Sequence, residues 1–95
     1  MQKTEWNIRI KGDGEEVLIT GHGEDPHYPG RVTVTSRGER AARLAEEIRS
    51  EVLYPPVDIK WMLHSENDLY GWYDAAGSVI DRRRSEGWVI EHDLP

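Results

Sequence analysis

The spacing of apolar residues changes along this chain, and each spacing predicts a different element. Trp6, Ile8 and Ile10 alternate with Asn7, Arg9 and Lys11, Gly12-Asp13-Gly14 breaks the run, and Val17 and Ile19 resume it. Period-two alternation on both sides of a glycine-rich break predicts a β-hairpin. Pairing Ile10 with Val17 and Ile8 with Ile19 puts all four on one face. A slip of one residue would bury Arg9 and Lys11 instead, so the register is strongly specified. The β-branched run Arg31-Val32-Thr33-Val34-Thr35 predicts a third strand.

The period then lengthens. Ala41, Leu44, Ala45, Ile48 and Val52 recur at three- and four-residue spacing, with Arg40, Arg43, Glu46, Glu47 and Arg49 mostly elsewhere, which predicts an amphipathic helix from about Ser36 to Leu53. Ser36 and Glu39 have capping-box form, in which the hydroxyl and the carboxylate each take an amide that the helix leaves unpaired. Pro55 and Pro56 end the helix, because proline has no amide for the ladder and disfavours helical geometry before it. One narrow apolar stripe covers one face of a sheet.

Beyond the prolines, Val57, Ile59, Trp61 and Leu63 alternate with polar or mixed positions, predicting a strand that turns at Ser65-Glu66-Asn67-Asp68. A four-residue loop would place Leu63 opposite Tyr70 and Trp61 opposite Trp72, a cross-strand aromatic pair. From Asp74 to Glu86 two readings compete. Asp74-Ala75-Ala76-Gly77 suits a hairpin turn, and Val79-Ile80 prefer extended geometry; alternatively Val79, Ile80 and Arg83 fit a short helix capped by Gly87. The hairpin is favoured. Trp88 to His92 reads as the last strand either way.

The expectation is an α+β fold in a single domain spanning 1–95, in the order βββ-α-ββ(β or short α)β. Five to seven strands form a mainly antiparallel sheet, with the helix packed on one face. Ile8, Ile10, Val17, Ile19, Val32, Val34, Leu44, Ile48, Val52, Ile59 and Leu63 should share the core.

Composition narrows the function classes. The chain has no cysteine, so disulfides, cysteine zinc sites and thiol nucleophiles are excluded. Twelve basic residues against eighteen acidic give a net charge of −6, which disfavours general nucleic-acid affinity. No stretch approaches the roughly 20 apolar residues of a membrane span, and the first residues lack the apolar run of a secretion signal; a cytoplasmic protein without membrane contact is expected. Nine of the twelve cations are arginine, a bias of GC-rich genomes that points to a bacterial or phage source.

Three local constellations carry candidate chemistry. His22, Glu24, Asp25 and His27 put two imidazoles and two carboxylates in one loop, a set able to hold a divalent metal, with His64 and His92 as candidate additions. The spacing matches no established zinc signature, and a solvated loop explains it equally. Arg82-Arg83-Arg84 is the one concentrated cationic run, suited either to phosphates or to neutralising Asp81, Glu86 and Glu91. Gly12-Asp13-Gly14 precedes a strand, not a helix, so it is a turn and not a phosphate loop. No serine has the local context of a nucleophile, and no motif calls for a cofactor.

Four tryptophans and no phenylalanine invite two readings: the bulky core of a small domain, or an exposed contact surface. The compact acidic design is similar to small accessory or phage-encoded proteins that act by binding other proteins. The leading expectation is therefore a non-catalytic binding or regulatory domain that engages a protein partner or a second copy of itself. Its binding residues would be Trp61, Tyr70, Trp72, Arg83 and Trp88. A small metal- or ligand-dependent enzyme centred on His22, Asp25 and His27 is the alternative, and nucleic-acid binding through Arg82–Arg84 a second one.

Overall fold

The computed structural model describes residues 4–23, 31–54 and 69–93. Within them the chain forms β1 (Thr4–Gly12), β2 (Glu15–Gly23), β3 (Arg31–Arg37), α1 (Glu39–Leu53), α2 (Leu69–Arg82), a 3-10 turn (Arg84–Glu86) and β4 (Val89–Asp93). The four strands make one sheet in the order β3-β2-β1-β4, every neighbouring pair antiparallel. The α+β class and the mainly antiparallel sheet are as the pattern predicts. The predicted strand over 57–63, the turn at 65–68, and the core positions Ile59 and Leu63 lie outside the described residues.

The β1–β2 hairpin closes on a two-residue turn, Asp13-Gly14, with φ of 50° and 77°. Two positive φ values give the turn whose twist matches paired strands, and glycine and aspartate are the residues that tolerate it. The register follows: Ile10 pairs with Val17 and Ile8 with Ile19, as the alternation requires. Continued across the sheet, Ile10 also lies beside Ile90, and Ile19 beside Val34. These rows join Leu44, Ile48 and Val52 of α1 and Trp72, Ala75, Ala76 and Val79 of α2 in one core. Trp6 and Trp88 lie against Gly21 and Gly12, where a Cβ would collide with the rings. Both helices thus cover the same face of the sheet.

The start of α1 differs from the expectation. Ser36 belongs to β3, the helix begins at Glu39, and no side chain of the residue preceding it caps it. The cap comes from another strand: Glu15 Oε1 accepts from the Ala41 amide at 3.0 Å. That carboxylate reaches the helix end only because Gly38, at φ 108°, has no Cβ to fill the space it occupies. A negative charge is also favourable at this end of a helix. The predicted capping box fails because pairing with β2 carries the strand past Ser36 through Arg37, and Gly38 is at φ 108°, so the helix cannot begin directly after Ser36.

The larger correction concerns residues 69–82. They form α2, so neither the hairpin at Asp74–Gly77 nor the cross-strand pair of Trp61 with Trp72 exists. Trp72, Ala75, Ala76 and Val79 recur at helical spacing, and all four are buried against the core. Burial of that stripe outweighs the roughly 1 kcal/mol penalty of Gly77 and the extended preference of Val79-Ile80. Gly87, at φ 77°, caps the 3-10 turn that follows, and the last strand starts at Val89, not Trp88.

Candidate functional site

Of the five residues predicted to form a binding surface, the structure describes three side chains. Trp72 is 4% exposed and Trp88 7%, both in the core. These two follow the core reading of the tryptophans and supply no exposed aromatic patch. Trp61 and the side chain of Tyr70 lie outside the described residues. Arg83 is half-buried and committed to two carboxylates, donating from Nε to Glu47 at 2.7 Å and from Nη1 to Glu86 at 2.8 Å.

Arg83 belongs to a network that ties α1, the end of α2 and the 3-10 turn together. Arg82 donates to Glu47 at 3.0 Å and pairs with Glu51, the one buried acid among the described residues. Glu86 also accepts from the Trp88 indole at 3.2 Å and approaches Arg40 at 3.6 Å, while the Arg40 guanidinium lies 5.0 Å from the Trp88 ring centroid. Arg40 in turn holds Asp13 of the hairpin turn at 2.8 Å. Burial acts to raise the Glu47 pKa, but hydrogen bonds from Arg83 and Arg82, and their charges, outweigh it and hold the carboxyl below its ordinary value. The Arg83 hydrogen bond, then that of Trp88, lowers Glu86 in the same way. Hydrogen bonding to Glu47, then to Glu51, raises Arg82; bonding to Glu86, then to Glu47, raises Arg83. Shifts of this kind mark catalytic groups when they occur in a cleft. Here each perturbed acid is saturated by cations, and the arrangement is an interhelix clamp. Arg84, facing Asp81 at 3.7 Å, is the most exposed of the three consecutive arginines.

The metal reading rests largely on residues that are not described: Asp25, His27 and His64 are among them. His22 sits on β2, partly exposed, with Nδ1 3.5 Å from Glu5. No group of three or more potential metal ligands occurs among the described residues.

Among the described residues, no helix covers the sheet face opposite α1 and α2. Its rows follow from the register: Glu5, His22 and Arg31; Asn7, Thr20 and Thr33; Arg9, Leu18 and Thr35; Lys11, Glu16 and Arg37. Neighbouring groups interlock. Thr20 Oγ1 donates to Asn7 Oδ1 at 3.0 Å, Arg9 Nε lies 2.6 Å from Glu16, Arg37 lies 3.8 Å from the same carboxylate, and Lys11 reaches Glu91 at 3.4 Å. Toward the hairpin turn the face opens into a cleft of about 460 Å³ bordered by Lys11, Asp13, Arg37 and Val89, the last 59% exposed. Sequence reasoning missed this face as a site, although its signal was present: the polar half of each period-two alternation names its residues. No family model, curated protein or solved structure matches the chain.

Proposed function

We infer that this is a non-catalytic binding domain that engages a protein partner through the uncovered sheet face. The observation behind this reading is the interlocked set of opposite charges and hydrogen-bonding groups across four strands, which presents fixed polar contacts. Four strands about 4.8 Å apart, paired over five to nine residues, give a face of roughly 450 Å². That suits the smaller, transient class of protein contact more than a permanent one. Polar groups already paired with neighbours lose little freedom on binding, and complementary charge favours fast encounter and selectivity over affinity.

The same face gives nucleic acid little support. Arg9, Lys11 and Arg37 are each shared with a carboxylate, and the face carries no Trp, Tyr or Phe among the described residues for stacking on bases. Arg82 and Arg83 are likewise occupied.

Native mass spectrometry of the protein captured gently from cells that make it tests the reading, using wild type, a face variant (Thr20→Glu with Thr33→Glu) and a helix-face control (Arg49→Glu). An added protein mass that the face variant loses and the control keeps is the expected result. An added metal or small molecule, an added protein indifferent to the face variant, or a bare chain in every capture would overturn it.

A further inference from the structure

β3 and β4 are the outermost strands of the sheet among the described residues, and they differ in charge. β3 (RVTVTSR) contains two arginines and no acid; β4 (VIEHD) contains two acids and no arginine or lysine. Edge strands present unpaired amides and carbonyls, and proteins usually blunt them with charge, proline or a bulge. Here the two arginines stand at the ends of β3, leaving Val32-Thr33-Val34-Thr35-Ser36 uninterrupted by charge or proline. Arg37 is 75% exposed despite its contact with Glu16.

We propose that a second copy of this chain continues the sheet head to tail, β3 of one molecule pairing antiparallel with β4 of the next. Three features select this arrangement. First, a sheet of four antiparallel strands has outer strands running in opposite directions, so an identical molecule placed alongside in the same orientation meets β3 with an antiparallel β4 and keeps its helices on the same side. Second, pairing β3 with β3, or β4 with β4, sets like charges together, whereas β3 with β4 sets Arg31 opposite Asp93 and diagonal to Glu91. Third, Val34 and Ile90 are only partly buried, at the two margins of the core. Pairing residues 31–35 with 89–93 uses the whole of β4, places Val34 beside Ile90 on the helix side, and brings Arg31 and Asp93 to facing register positions. Such a contact leaves one edge of each kind free, so association adds further copies unless the sheet twist closes a ring.

The inference does not rest on the proposed partner, because it is read on the purified protein alone. Sedimentation velocity from about 1 μM to about 1 mM, the range of weak contacts, should show mass rising past a dimer with concentration and falling when salt is raised from about 0.05 to 0.5 M. The double variants Arg31→Glu/Arg37→Glu and Glu91→Arg/Asp93→Arg, each checked for folding by circular dichroism, should remain monomeric alone and regain assembly when mixed in equal amounts, since mixing restores opposite charges at every junction. Amide exchange on wild type provides the same test without substitutions, with protection in β3 and β4 rising with concentration. A monomer across the range, assembly that stops at a dimer, variants that associate as wild type does, a mixture that stays monomeric, or concentration-independent protection would each overturn the proposal.

Discussion

Replacing Gly77 by alanine separates the observed helix from the hairpin that the local sequence favours, because the two structures predict opposite signs. In α2, Gly77 is interior, its φ is negative, and the space where a Cβ would point is empty to 4 Å. Alanine therefore adds no clash and removes the backbone freedom that glycine brings to the unfolded chain, a gain of about 0.8–1 kcal/mol. In a hairpin with residue 77 left-handed, the same methyl would cost about 1–2 kcal/mol. Gly87 is the internal control: it too has empty space around it, but its φ of 77° makes alanine strained, with an expected loss of about 1 kcal/mol. At roughly 2.1 cal/mol/K per residue, the unfolding entropy of 95 residues is about 0.2 kcal/mol/K, so each change corresponds to about 4–5 °C in Tm. Urea titrations with unchanged slope and thermal scans should show Gly77→Ala above wild type and Gly87→Ala below it. A Gly77→Ala protein less stable than wild type would refute the helix and the packing argument behind it.

Two further outcomes follow from the same geometry. Removing the strand-borne cap by Glu15→Ala should cost about 1–2 kcal/mol in urea unfolding, while Ser36→Ala, at the position the capping box predicted, should stay within about 0.5 kcal/mol; the reverse ranking would return the start of α1 to Ser36. Glu47 and Glu86 have lowered pKa values in the fold, so their contribution is complete above the ordinary carboxylate pKa of about 4.3 and is lost as pH falls through their folded values. Urea midpoints should accordingly fall below about pH 4.5, and Glu47→Gln should be less stable at pH 7 with a shallower acid slope; an unchanged slope would show that the clamp does not carry the acid sensitivity.

What the sequence determined by itself is whatever depends on neighbours two to four residues apart. The β1–β2 register was legible because only one pairing buries Ile8, Ile10, Val17 and Ile19 together, and Asp13-Gly14 fits a two-residue turn. The stripe and the end of α1 were legible because five apolar residues shared a face and two prolines followed. The polar side of the same alternation also named most of the proposed binding face, since period two fixes which residues stand opposite the core.

The tertiary structure decided what local preference leaves balanced or misdirects. Ser36 and Glu39 are well placed to cap a helix, yet β2 claims Ser36 and sends Glu15 to the helix end in its stead. Gly77, Val79 and Ile80 lean toward a hairpin, yet a sheet face already lined with isoleucine and valine rewards the stripe of Trp72, Ala75, Ala76 and Val79 by more than those preferences cost. Arg82–Arg84 suit either phosphates or their near neighbours Asp81, Glu86 and Glu91 along the chain, and only the approach of α1 to α2 adds Glu47 and Glu51, some thirty-five positions earlier in sequence, as partners of Arg82 and Arg83. Burial and charge neutralisation depend on distance in space, and the identity of residues far along the chain enters them only once the chain has folded.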